Sequence, residues 1–423
     1  MTTVPSTATR RAAAPGRADD ASPDDTDHAY RALLDRAATP YYLLLGASVL
    51  LLVLGVVMVF SASSVTAFAF LGSSLAIVSK QAMWVVIGLP LMFLASRLPV
   101  RAWRLAGYVG MATSLALLVL VAVAGTEVNG NRNWLDFGGP FRIQPSELAK
   151  LSLILWGADL LARKERLLHQ WKHLLVPLVP VGGGVLGLVL LGGDLGTAVI
   201  LAAILGALLW TAGAPARLFA FAVAPAGLLV VWMVNAHSYR MQRITDWLHP
   251  DQADPLGAGL QALHGKFALA SGGWWGVGLG GSKEKWGALP EAHTDFIFAI
   301  IGEELGLVGT LAVLTLIGAL GYAGLRVAIA ATDPFVRLAA AGVTAWLLVQ
   351  ALVNIGAVLG LLPIMGVPLP LVSYGGSALV PTMLGIGMLL SFARRDRKEA
   401  ARADGGGTPR TARVPRTRRE AAR

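Results

Sequence analysis

Long apolar stretches separated by brief polar ones dominate the chain. They run over roughly 41–62, 74–97, 103–124, 147–163, 174–191, 195–213, 216–235, 295–323, 336–361 and 375–393, each close to the ~20 residues that cross a bilayer core as a helix. The pattern predicts an all-α, polytopic membrane protein with about ten transmembrane helices. Two connections exceed a simple turn: 126–146, and 236–294 between helices 7 and 8. A structureless connection of the second length is uncommon, and Trp247, Trp274 and Trp275 within it argue for contact with the headgroup level rather than disorder.

Charge orients these spans. Arg97, Arg101 and Arg104, then Arg163, Lys164, Arg166 and Lys172, then Arg217, then Arg326 and Arg337, then the C-terminal tail fall on alternate connections. The positive-inside rule makes those connections cytoplasmic, and an even number of spans leaves both ends there. The expected organisation is a disordered cytoplasmic tail over 1–39, with five Arg against six Asp, a transmembrane domain over 40–394 with its large extracellular loop at 236–294, and a basic disordered cytoplasmic tail over 395–423. The first apolar run starts at Tyr41 and is long enough to span, so it is expected to stay as an anchor.

Composition agrees: 55% of the 423 residues are hydrophobic and 14% charged, and the mean hydropathy is +0.63. Of the net charge of +10, the tail from Arg394 onward supplies seven, from eleven Lys/Arg against four Asp/Glu. A basic tail beside a span reads as an orientation signal and an anionic-lipid contact. No aromatic platform accompanies it, so nucleic acid is not an expected partner. The absence of cysteine excludes disulfides, thiol catalysis and Cys-ligated metal.

Candidate chemistry collects at the external ends. Asp295 opens the eighth span and reads either as a general base or, with Thr294, as a helix N-cap. Glu303 and Glu304 lie inside that span, where acids have a partner or a task; being adjacent, they diverge by about 100° on a helix. Glu147 and Lys150 can pair on one helix face or aim the ammonium at a phosphate. Asp194 suits a helix cap. Arg240, Arg243, Lys266, Lys283 and Lys285 are unusual in an external loop and suggest either an anionic partner such as a diphosphate or lipid headgroups. Four histidines in that loop match no strong zinc spacing, so no protein-bound metal is expected.

Several motifs, in order, resemble the SEDS family (shape, elongation, division and sporulation) over about 41–394. They are Leu289–Ala299 (LPEAHTDFIFA) with Glu303–Gly306; Asn129-Gly130; Trp134; Arg142-Ile143-Gln144-Pro145-Ser146-Glu147 with Lys150; Asp194–Thr197; Tyr239-Arg240 with Arg243; Ser271–Gly273; and Pro368–Ser377 (PLPLVSYGGS). The likeness is greatest to the division branch, with the elongation and sporulation branches next. It implies a peptidoglycan glycosyltransferase that polymerises lipid II by inverting transfer and releases undecaprenyl diphosphate. By this resemblance Asp295 is the catalytic acid. Trp134, Arg142, Gln144, Glu147, Lys150, Asp194, Arg240, Arg243, Lys283, Ser373 and Ser377 become candidate substrate contacts.

No permanently bound cofactor is implied, only a divalent cation, Mg or Mn, accompanying the substrate diphosphate. Implied partners are a class B penicillin-binding protein and other divisome proteins at the septal cytoplasmic membrane. The residue before Trp134 departs from the family pattern: Asn133 stands there, with Arg132 one earlier. The competing readings are a lipid II flippase using Glu303 and Glu304, the elongation-specific polymerase, and a noncatalytic scaffold.

Overall fold

A computed structural model describes residues 39–405 except 129, 130, 137, 139–141, 169, 236, 237, 253 and 255–258. Residues 1–38 and 406–423 of the expected tails lie outside the described residues, whereas Thr39 and 395–405, expected to be disordered, continue the helices Thr39–Leu71 and Gly376–Gly405. Every predicted apolar segment holds a helix. These are α1 (Thr39–Leu71), α2 (Ala76–Ala95), α3 (Val100–Ala124), α4 (Pro145–Arg163), α6 (Leu178–Leu191), α7 (Leu195–Thr211), α8 (Ala216–Asn235), α11 (Ile297–Ala330), α12 (Pro334–Val358) and α13 (Gly376–Gly405). A five-residue helix, α5 (Trp171–Leu175), precedes α6; α9 (Ser238–Leu248) and α10 (Leu260–Gly272) lie within the long loop.

Seven described helices are long and apolar enough to cross a membrane, and α7, at 17 residues, is a shorter apolar helix. The protein is a multi-span membrane protein. One feature departs from a purely helical reading: the connection after α3 forms three short antiparallel strands, β1 (Thr126–Val128), β2 (Asn131–Asp136) and β3 (Arg142–Ile143), in the order β1-β2-β3. Alternation over so few residues is too brief to register in a hydropathy pattern.

Local chemistry sets the helix starts. Pro145 occupies the first turn of α4, with Glu147 beside it and Arg163 in the last turn, matching the helix dipole at both ends. Asp194 caps α7 by accepting from the Thr197 amide at 2.9 Å, and Asp333 caps α12 by accepting from the Phe335 amide at 2.9 Å.

Helices α4 and α12 form the centre. They are buried along most of their lengths, so polar groups on them must find partners inside the protein. At one end an ionic cluster ties the bundle: Arg104 bridges the fully buried Asp159 (3.1 Å) and Asp333 (2.9 Å), while Arg163 and the Tyr108 hydroxyl also reach Asp159. The candidate site lies about 30 Å away at the other end of α12, reckoned at 1.5 Å per helical residue.

Candidate active site

The chain enters α11 through a tight corner. Glu291 adopts a left-handed φ of 54°, and its carbonyl accepts from the amides of Thr294 (3.1 Å) and Phe296 (3.2 Å). The N-cap position falls on Phe296 and has no side-chain cap, so neither Thr294 nor Asp295 caps this helix. The Asp295 carboxylate makes no hydrogen bond among the described residues. It faces a small cleft whose other walls come from Asn354 on α12 and from Ile364, Met365, Gly366 and Val367. Gly366 has a φ of +68°, and a Cβ there would stand 3.4 Å from Asp295 Oδ2, so the left-handed turn brings bare backbone against the carboxylate.

The Asp295 carboxyl is raised from 3.8 to about 7, chiefly by burial, with Glu291 and Asp194 also raising it and Arg243 on α9 opposing the shift. A base poised near neutrality, with a guanidinium within electrostatic reach, suits proton abstraction. Beside it, burial lowers the basicity of His293 and holds the Tyr374 phenol above its usual range. Their rings lie 5.5 Å apart.

The segment 363–377 joins the site together. The Ser373 hydroxyl donates to the Thr294 carbonyl (2.7 Å) and accepts from the Leu369 amide (2.8 Å). The Tyr374 amide donates to the His293 carbonyl (3.0 Å). Ser377 Oγ accepts from the Gln144 amide (2.7 Å), and the Gln144 side chain donates to Asp194 (2.7 Å). Gln81, on α2, and Gln350 and Asn354, on α12, bond to the backbone of this segment. Ser373, Ser377, Gln144 and Asp194 therefore brace the walls that hold Asp295.

Other predicted residues stand apart. Lys150 is 1% exposed, bonded to Glu147 (2.8 Å) and Gln350 (2.9 Å), with the Trp346 ring 5.3 Å from its ammonium. The pair reading of Glu147 and Lys150 is thus the one the geometry realises. Trp134 is half-buried in β2. Arg142 sits on β3, half-exposed, where it pairs with Asp136 at 2.9 Å and holds that carboxyl below its usual range. Arg243 is the exception and belongs to the site: it donates to the carbonyl of Ile364, a residue of the cleft wall, at 3.1 Å. Arg240 lies on α9, but its side chain falls outside the described residues. Lys283 is exposed, and its amide donates to Glu303 (2.8 Å).

Glu303 and Glu304 serve a glycine-rich loop, residues 273–285, that precedes α11. Ser282 Oγ donates to Glu303 (2.5 Å), while Lys285 (2.9 Å) and Ser61 of α1 (2.7 Å) donate to Glu304. Lys285 is 3% exposed, so it is not one of the loop cations open to an anion, as the sequence suggested. Just beyond, α11 breaks at Gly306 (φ 66°, ψ −163°). The loop fills the break: the amides of Val277 and Gly278 donate to the carbonyls of Glu303 and Glu304, and the amides of Leu307 and Val308 donate to Gly273 and Trp274. A broken helix is tolerated at membrane depth when its freed groups are satisfied in this way.

Sequence reasoning did not single out Gln81, Gln350 or Asn354. Amides in otherwise apolar spans were the available signal, since each must find partners there.

Fold and site define a polytopic membrane protein with an uncapped, near-neutral carboxyl in a cleft at one end of its bundle. A sequence model of the family described as "Cell cycle protein" (FTSW_RODA_SPOVE) matches residues 42–398, and the chain belongs to this family. The probable peptidoglycan glycosyltransferase FtsW of Mycobacterium tuberculosis is 40% identical over 374 residues, spanning 88% of this chain and 71% of that protein. Stage V sporulation protein E of Bacillus subtilis is 35% identical, spanning 86% and 99% respectively.

Two solved structures are similar. A chain from a peptidoglycan synthase complex that coordinates polymerization and crosslinking has a TM-score of 0.70 at 31% identity, covering 84% of this chain and 97% of that one. The rod shape determining protein RodA of Thermus thermophilus has a TM-score of 0.63 at 30% identity, with the same coverage.

Proposed function

We propose that this protein is a peptidoglycan glycosyltransferase of the division branch, polymerising lipid II at the outer face of the cytoplasmic membrane. The observation that carries the reading is the Asp295 carboxyl, which faces a cleft, does not cap its helix, makes no hydrogen bond among the described residues, and is held near neutrality. Asp295 takes the proton from the 4-hydroxyl of the acceptor GlcNAc as that oxygen bonds to the anomeric carbon of the donor MurNAc. The bond from that carbon to the diphosphate breaks with inversion, and undecaprenyl diphosphate leaves. Arg243 is the described cation acting on this site and faces the negative charge that develops on the leaving group. A divalent cation, Mg2+ or Mn2+, arrives with the diphosphate as part of the substrate.

In this reading both termini lie in the cytoplasm and Asp295 outside, an orientation supported by the positive-inside rule. The partner is a class B penicillin-binding protein that crosslinks the strands, within the division machinery at the septum. The flippase reading asks Glu303 and Glu304 to carry protons, yet both are engaged by Ser61, Ser282 and Lys285. The test is purified protein with its class B partner and labelled lipid II. Wild type yields SDS-resistant glycan strands and Asp295→Ala yields none; strands from the variant, or lipid II translocation without polymerisation, overturn the proposal.

A further inference from the structure

Asn354 lies on α12, is 2% exposed and lines the same cleft as Asp295. Its Nδ2 donates to the Asp295 carbonyl at 2.7 Å and to the Val367 carbonyl at 2.8 Å. Both acceptors are backbone oxygens, so the amide has one workable orientation; reversed, its oxygen would face two others. That orientation leaves Asn354 Oδ1 buried and without a hydrogen bond among the described residues. An unfilled buried acceptor is destabilising, whereas an apolar residue of similar shape leaves no such penalty on its own side chain. A side chain that strands its own oxygen is therefore suited to the site through its two N–H groups. These join the two walls between which the carboxylate sits, the corner at Asp295 and the turn at Gly366-Val367.

We infer that Asn354 is a positioning residue for Asp295, fixing the reacting carboxyl in the cleft by tethering its peptide to the 366–367 turn. The inference rests on Asp295 being the base. The charged groups acting on Asp295 are Glu291 in its own corner, Arg243 from α9 and Asp194 at the start of α7, and Asn354 adds no charge to them. It acts by geometry and by keeping the carboxyl out of water.

Two substitutions separate this role from simple support of the fold. Asn354→Ala removes both donors and lets water reach the corner, so kcat falls by about 10–100-fold with KM within about 3-fold, as expected for a misplaced base. The acid limb of its pH–rate profile moves down toward the ordinary carboxylate range. Asn354→Asp also removes the donors but sets a like charge nearby, so its acid limb moves up. Asn354→Ser keeps one donor and loses less. Limbs unmoved in both of the first two variants, with rates tracking only the folded fraction, overturn the inference.

Hydrogen–deuterium exchange over 291–297 reads the tether without turnover and rises in Asn354→Ala; unchanged exchange there overturns the inference independently. Asp295→Asn at full rate would sink the proposed base itself, a result distinguishable from failure of Asn354 alone.

Discussion

If Asp295 is the base, strand synthesis depends on pH in a way its surroundings fix. Its carboxyl is raised from 3.8 to about 7, chiefly by burial. Only the ionised form accepts a proton, so the rate climbs with pH through about 7 and then levels; one unit lower about a tenth of the plateau remains, and two units lower about a hundredth. The same shift has a stability cost. The folded chain keeps a proton on Asp295 that the unfolded chain releases, so this group's contribution to stability is most favourable below about pH 4, declines as pH rises toward 7, and stays reduced above it. The rise from 3.8 to about 7 sets an upper limit on that cost on the order of 4 kcal/mol.

Asp295→Asn, neutral throughout, is expected to abolish synthesis and to unfold at higher temperature than wild type, with a margin that widens from acid to alkaline buffer. The assays are initial rates of SDS-resistant strand formation from labelled lipid II across about pH 5–9, and thermal unfolding of both proteins in detergent. A rate profile flat through neutrality, or a margin that narrows as pH rises, would refute the reasoning.

Three further outcomes follow from the packing. Lys285→Met leaves Glu304 buried without its cation and is expected to destabilise by about 3–5 kcal/mol in denaturant titrations, with most of that recovered when Glu304→Leu is added. Lys150→Met should destabilise similarly through Glu147, and Glu147→Leu should restore the fold. Strand synthesis by that restored double variant would confine Lys150 to a structural role, and its absence would give Lys150 a part in handling diphosphate. Gly276→Ala places a Cβ 2.1 Å from the Glu304 carbonyl at a φ of +76°, so size-exclusion chromatography should show little monodisperse protein, the left-handed φ alone costing about 1–2 kcal/mol.

Each of the ten apolar runs holds a helix, and seven described helices are long and apolar enough to cross a membrane, because a segment of that length and composition has few other ways to satisfy its backbone in lipid. Boundaries are less legible: α1 runs to Leu71 and α11 to Ala330, past the apolar runs that announce them, since packing continues a helix beyond its most hydrophobic part. At the site, Asp295 is legible by its position at a helix mouth, but its freedom from capping depends on the Glu291 turn, which no spacing rule reveals. The acids at 303 and 304 are conspicuous in sequence. Their partners are not, because Ser61 comes from more than two hundred residues away and Lys285 reads as a surface charge. Asn354 hides for the converse reason: a single amide in an apolar helix declares that it has partners without naming them.

The loop that fills the gap at Gly306 belongs to the wall of the bundle. To lift away, it would have to abandon at least four peptide groups to hydrocarbon while also parting from Glu303 and Glu304, a combination that makes it a poor lid. Those bonds join the loop to both halves of α11, so the three are expected to move as one body.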